Sequence, residues 1–280
     1  MKIVECPRDA WQGFHRFIPT EKKAAYINQL LKVGFDTIDF GSFVSAKAMP
    51  QVSDTAQLID QLDLADTATK LLAIVANERG AMDACQFPQI SDIGYPFSIS
   101  ETFQLRNANS TIAASLERVR RIASLAMEND KELVIYISMG FGNPYGDPWN
   151  AEIVFNYMEE LAKYGINTFS LADTVGVAKT EDIKAVLSQL LASRPDLEFG
   201  AHFHTSPANW EEKIAAAYEA GCRRFDGAVL GYGGCPMAQD ELVGNMPTEN
   251  LVAFAKQKKE LLNLDLQALQ TSREMFLQLI

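Results

Sequence analysis

Eight short apolar runs alternate with stretches of helical periodicity along the 280 residues, and this alternation constrains the fold more than any other feature. The runs cover residues 3–6, 37–41, 71–76, 92–98, 132–138, 168–172, 198–203 and 223–229. Run 71–76 is apolar throughout, as expected of a parallel strand buried on both faces. The run at 92–98 is less regular because Pro96 lies inside it. Helical patterns are read at 21–33 (capped by Thr20, stopped by Gly34), from Ser53-Asp54 onward, and at 110–129, 150–164, 180–192 and 209–220. Two more, 248–262 and 265–280, finish the chain. With no Pro/Ser-rich linker, the pattern predicts an α/β chain folded as one (β/α)8 TIM barrel over 1–280, with a helical C-terminal extension over 248–280 packed on it. A doubly wound open sheet is the alternative. The Gly140-Phe141-Gly142 pair would suit a dinucleotide loop, but Pro144 breaks it and no helix opens there directly.

A formal net charge of −11 and the absence of a Lys/Arg cluster argue against a nucleic-acid partner. No apolar run approaches the length of a membrane span, and residues 1–6 enter a strand pattern at once, without a signal-peptide core. The four cysteines (Cys6, Cys85, Cys222, Cys235) have neither zinc-cage nor disulfide-scaffold spacing. A reducing cytoplasm is the expected compartment.

In a barrel, the chemistry gathers where strands end and the following loops begin. There the chain places Arg8-Asp9, Asp39, Ser42, Asn77, Ser100-Glu101, Arg106-Asn107, Asn109, Ser138, Asp173-Thr174, His202 and His204, a glycine-rich loop from Gly231 to Pro236, and Asn245. Any one of these alone could be a helix cap or a solvated loop residue, Ser100 and Asp173 above all. His202 and His204 are two of only three histidines, and at i, i+2 on a strand they face one space. Paired imidazoles suit a divalent metal; their bland alternative is a polar closure of a core strand. Asp9 offers an oxygen ligand to the same ion. A mixed carboxylate and imidazole set with room for water suits Mg2+ or Mn2+ before zinc. Arg8 adds a permanent cation that would stabilise carboxylate or enolate charge, unless it is spent on a structural pair with Asp39 or Glu5. Cys235, in its glycine loop, is either an inert thiol or a proton donor brought in by loop closure.

The motifs Arg8-Asp9, Ser42-Phe43-Val44-Ser45-x-Lys47, Ser100-Glu101-x-Phe103-x-x-Arg106-Asn107-x-Asn109, Ser138 with Pro144-Tyr145, 170–177, His202-x-His204 and 231–239 resemble the 3-hydroxy-3-methylglutaryl-CoA lyases. The similarity runs in order from the first strand to about Asn250, within a wider superfamily of metal-dependent barrel lyases and condensing enzymes. It implies cleavage of the hydroxyacyl-CoA thioester to acetyl-CoA and acetoacetate. The implied ion ligands are Asp9, His202, His204 and Asn245. Arg8, Asp39, Tyr145, Asp173 and Cys235 fall at catalytic positions, and Gln12, Ser42, Asn107, Asn109, Ser138 and Thr174 at substrate-binding ones. The oligomeric state is not set by the sequence, a homodimer being the arrangement to test.

Several departures from the family pattern bear on the site. Asp39 replaces Glu, Ala10-Trp11 replaces Gly-Leu, Thr205 replaces Asp, and the segment between Cys235 and Asn245 is one residue longer. Three other readings remain: a lyase for a related hydroxyacyl-CoA, a transferase condensing acetyl-CoA with a 2-oxo acid, and a non-catalytic acyl-CoA-binding barrel. The condensing enzymes usually carry a further C-terminal region, and here little but two helices follows Asn250.

Overall fold

In the computed structural model, which describes residues 1–234, 243–260 and 263–280, parallel pairing closes eight strands into a barrel. The elements in order are β1 (Lys2–Glu5), α1 (Pro7–Trp11), α2 (Thr20–Leu31), β2 (Thr37–Ser42), α3 (Thr55–Ile59), β3 (Lys70–Ile74), α4 (Glu78–Cys85), β4 (Asp92–Ser98), α5 (Glu101–Ala108) and α6 (Ile112–Glu128). There follow β5 (Glu132–Ser138), α7 (Ala151–Ala162), β6 (Thr168–Asp173), α8 (Thr180–Ser193), β7 (Glu198–Thr205), α9 (Trp210–Glu219), β8 (Arg224–Gly227), β9 (Gly244–Asn245), α10 (Thr248–Gln257) and α11 (Leu266–Leu277). Each barrel strand pairs with its sequence neighbour, and β8 pairs with β1 to complete the ring. The two-residue β9 is antiparallel and lies outside the ring, on the end of β7.

Alternation along the strands separates two cores. Leu72, Ile74, Val134 and Tyr136 form a small cluster inside the barrel, whereas Leu71, Ala73, Leu133, Ile135 and Ile137 join the large core beneath the helices. Gly94 belongs to the inner layer, where a Cβ would stand 2.5 Å from Ile74 Cδ1. Pro96 is tolerated for a geometric reason. Asp92, Gly94 and Pro96 turn their backbone groups toward β3, whose register with β4 ends at Ile74 opposite Gly94. Past that end, the missing N–H of Pro96 has no strand to serve.

The barrel and its C-terminal helices agree with the reading from sequence, with local corrections. Thr20 does not cap α2: Pro19 holds that position, and the Thr20 hydroxyl donates instead to Asp54 at 2.8 Å. The eighth strand stops at Gly227 and passes into a 3-10 turn, Val229–Gly231. α10 ends at Gln257; its expected end at 262 lies outside the described residues. Three helices have no counterpart in the reading from sequence: the single turn α1, and α4 and α5 with Asn77 and Ser100 as side-chain N-caps. For both cap residues the sequence allows either a helix cap or a polar group at a strand end, and the structure shows the cap. α11 opens on the Asp265 cap and packs Phe276 against Phe14, Tyr26 and Tyr232. Among the described residues, no helix is long and apolar enough to cross a membrane.

Candidate active site

Strand β7 carries His202 and His204 to the mouth of the barrel with ring centroids 5.4 Å apart. Their tautomers follow from their neighbours. His204 Nδ1 lies 2.8 Å from the carbonyl of Thr174, which can only accept, so Nδ1 carries the proton. His202 Nδ1 lies 3.1 Å from a carboxylate oxygen of Asp226. In its neutral form each ring therefore keeps a lone pair on Nε2, the arrangement that metal-binding imidazoles share.

Asp9 arrives from the end of β1, two strands round the ring, on the single turn α1. Pro7 presets the first helical position, and Trp11 is buried edge-on against Tyr26 at 6.2 Å, fastening the turn to α2. The added bulk of Ala10-Trp11 thus goes into the core and not into the pocket. Arg8, on the same turn, binds both oxygens of Asp39, at 3.2 and 2.5 Å. Its Nη1 also donates to Asp9 at 3.2 Å and to Gln12 at 2.9 Å. Gln12 Nε2 in turn donates to Asp9 Oδ1 at 2.6 Å. Arg8 is therefore paired with Asp39 and at the same time borders Asp9.

Asn245 completes the group. β9 pairs it with His204, and its Nδ2 donates to Asp9 Oδ2 at 2.6 Å and to the Tyr232 carbonyl at 2.9 Å. The longer segment before it does not displace it from the cluster. Gly233 allows this closeness: its φ is +101°, and a Cβ there would lie 2.6 Å from both Asn245 Nδ2 and the Asp9 carbonyl. The neighbouring Gly234 carbonyl accepts from Gln12 Nε2 at 3.4 Å. Cys235 lies outside the described residues.

The remaining expected residues are placed around this group with other attachments. Asp173 is buried in an ion pair with Lys213 at 2.6 Å and accepts from Ala178 N at 3.0 Å, so its carboxylate faces the loop after β6. Thr174 holds His204 through its carbonyl and accepts from Met139 N through its hydroxyl. Ser42 donates to the Ile74 carbonyl, joining β2 to β3. Ser138 is buried at the end of β5. Tyr145 stacks on Phe103 with Arg106 lying 4.7 Å over its ring, on the β4–β5 side of the mouth. Asn107 and Asn109 are exposed on that side, Asn109 as the left-handed cap of α5. Two buried residues that brace the cluster escaped the sequence reading. Lys213, which also donates to the His204 carbonyl at 3.1 Å, gave no signal, being one lysine on an amphipathic helix. Asp226 could have been found, because on β8 it shares the inward side with Arg224, and an interior acid is rare without a partner.

Charge in the cluster suits ion binding. Burial works against ionisation of Asp9, but Arg8, the two imidazoles and the Asn245 hydrogen bond overcome it and hold the carboxyl below its usual range. Burial and the neighbouring His202 push His204 down, toward neutrality. Burial lowers His202 too, yet the Asp226 carboxylate more than offsets it and the net shift is upward. Burial raises Asp39 beyond what Arg8 restores.

One donor atom each from Asp9, His202 and His204 lies within 4.8 Å of the others, as a shared divalent cation requires. A second trio, Cys6, His202 and Asp226, meets the same distance, but there the imidazole and the carboxylate already satisfy one another inside the barrel. The set containing Asp9 opens to the mouth, and because each ring is held through Nδ1 its Nε2 is the atom left to face a shared ion, so this set fits an ion and the inner set does not.

A closed parallel barrel with a carboxylate, two imidazoles and a guanidinium at the C-terminal ends of its strands is the architecture of a barrel enzyme of the metal-assisted class. The chain belongs to the HMGL-like family, whose profile matches residues 2–276. A hydroxymethylglutaryl-CoA lyase of Bacillus subtilis is 32% identical over 94% of this chain and 87% of its own length. A 3-hydroxy-3-isohexenylglutaryl-CoA/hydroxymethylglutaryl-CoA lyase of Pseudomonas aeruginosa is 29% identical over 90% of this chain and 83% of its own. Among solved structures, an HMG-CoA lyase of Acinetobacter baumannii in complex with coenzyme A and 3-methylmalate superposes with a TM-score of 0.92 at 31% identity, covering 100% of this chain and 90% of that one.

Proposed function

We propose that the protein cleaves 3-hydroxy-3-methylglutaryl-CoA into acetyl-CoA and acetoacetate. The observation that carries this reading is the convergence of Asp9 and the two imidazole Nε2 atoms beside Arg8, with the lyases named above as relatives. Asp9, His202, His204 and Asn245 would hold Mg2+ or Mn2+. A bound divalent ion supplies Lewis acidity that makes the tertiary hydroxyl of the substrate easier to deprotonate.

Loss of that proton to a base leaves an alkoxide, which collapses to a ketone, breaks the adjacent C–C bond and expels the acetyl-CoA enolate. Arg8 stabilises the negative charge that gathers on the thioester oxygen, because its guanidinium stays cationic and aimed at the cluster. Asp39, with both oxygens on Arg8, acts by orienting that guanidinium. Cys235 returns a proton to the enolate carbon. Gln12 fixes Asp9 and Arg8 together. Tyr145, Ser138, Asn107 and Asn109 line the β4–β5 side for the acyl chain and thioester, whereas Asp173, Thr174 and Ser42 position the walls. In this reading the acyl-CoA is the partner, the compartment is the cytoplasm, and a homodimer is the assembly to test.

A related hydroxyacyl-CoA is the second reading, favoured by the Pseudomonas relative, whose name carries a longer branched substrate. Pure protein with Mn2+ and a panel of 3-hydroxyacyl-CoAs decides between the two. Acetoacetate release from the methylglutaryl thioester supports the first reading, and turnover of another thioester alone overturns it. His202→Ala should remove both metal binding and turnover.

A further inference from the structure

Beneath the two imidazoles the barrel interior holds a charged column that the reaction above does not use. Arg224 and Asp226 alternate on β8 and point inward, in register with Gly200 and His202 of β7. Asp226 Oδ2 accepts from Ser170 Oγ at 3.1 Å and meets His202 Nδ1 at the same distance. Its Oδ1 has no hydrogen-bond partner and lies 3.5 Å from Arg224 Nη1, itself without one. Gly200 opposite on β7 gives Arg224 room: a Cβ there would stand 3.1 Å from Nη1. Tyr136 closes the third side, edge-on to His202 with centroids 5.8 Å apart.

An apolar residue at 226 would avoid the cost of burying an ion pair in the barrel. What it could not do is accept the Nδ1 proton of His202. A carboxylate only accepts, so it admits one tautomer, with Nε2 left bare toward Asp9 and His204. We infer that Asp226 is the positioning residue that locks His202 as the Nδ1–H tautomer, and that Arg224 fixes Asp226 for it. This rests on the metal reading of the cluster for its purpose, but not for its geometry.

The test uses uniformly 15N-labelled, metal-free full chain at a pH where imidazole is neutral, with the ring nitrogens read by long-range 1H–15N correlation. Only His15, His202 and His204 contribute signals. In the wild type, His202 should carry its proton on Nδ1; finding it on Nε2 overturns the proposal whatever the variants do. Asp226→Asn, whose amide can also donate, should mix or invert the His202 tautomer while His204, held by the Thr174 carbonyl, keeps its own. In the same variant, Mn2+ affinity read by electron paramagnetic resonance should fall about 10–100-fold. Arg224→Met should lower it by less, and it supplies the comparison if the first variant does not fold. An unchanged His202 tautomer in the folded variants, with Mn2+ affinity within about threefold, overturns the assignment. A wild type that binds no Mn2+ would instead remove the metal reading, and the tautomer comparison would still decide the role of Asp226.

Discussion

Lys213 Nζ lies 2.6 Å from Asp173 Oδ2, with the two side chains 2% and 1% exposed. The same ammonium donates to the carbonyls of Gly176 and His204, so one lysine joins the loop after β6 to the strand that bears both imidazoles. Lys213→Met would leave the Asp173 carboxylate buried beside a single N–H donor. It should lower stability by about 3–5 kcal/mol, and Lys213→Met with Asp173→Leu should recover much of that. Urea unfolding measures both. A single variant within about 1 kcal/mol of the wild type would show that the pair is not holding these loops.

Gly233 and Gly221 both have positive φ, +101° and +106°, but different surroundings. A methyl group on Gly233 meets Asn245 and the Asp9 backbone, whereas on Gly221 it meets only the flexible end of Leu191 at 3.3 Å. Gly221→Ala should therefore lower the melting temperature and leave Mn2+ affinity alone. Gly233→Ala should move Asp9 or Asn245 and cut kcat/KM about 100-fold, the usual penalty for displacing a reacting group by an ångström. Equal kinetics in the two variants would contradict the role given to this close approach.

Glu5 is fully buried between β1 and the start of α10, accepting from Val229 N and meeting the Thr248 hydroxyl. Burial pushes its carboxyl up to about 8 despite those bonds. Above about pH 4.3 the unfolded chain gives up this proton while the folded chain keeps it. Stability should then fall as pH rises, by up to about 1.4 kcal/mol per pH unit, and level off once the folded group ionises near 8. Glu5→Gln keeps both contacts and cannot ionise. The variant should match the wild type near pH 4 and exceed it at pH 8 in urea midpoints; parallel pH profiles would rule out this origin.

Metal binding has a readout free of turnover. An ion that binds the folded chain alone stabilises it by about 2.7 kcal/mol at a hundredfold excess over Kd. Mn2+ should raise the melting temperature of the wild type, EDTA should reverse the rise, and His204→Ala should show neither. A rise that survives in His204→Ala would place the ion elsewhere.

Hydrophobic period and strand-end polarity made the barrel legible, and 92–98 and 132–138 were read to the residue. His202, His204, Asp9 and Asn245 were also legible, as polar groups at strand ends or by family motif, and the structure does bring them together. Asn77 and Ser100 stay ambiguous in the sequence, because a cap and a catalytic polar group look alike until the helix behind them is known. The partners Lys213 and Asp226 act through contacts 40 and 24 residues away in sequence, and no local pattern encodes a distance of that kind.

Trp11 has an optical consequence. Its indole sits two residues after Asp9 in the same helical turn, packed on Tyr26 with Lys23 Nζ 6.0 Å from the ring. The other two tryptophans are only partly buried, Trp149 on the loop after β5 and Trp210 at the start of α9. Blue-edge emission should therefore come chiefly from Trp11, which shares its turn with Arg8 and Asp9. Any shift of α1 on binding at the barrel mouth should therefore register in Trp11 emission, which a Mn2+ titration of the unlabelled chain would check.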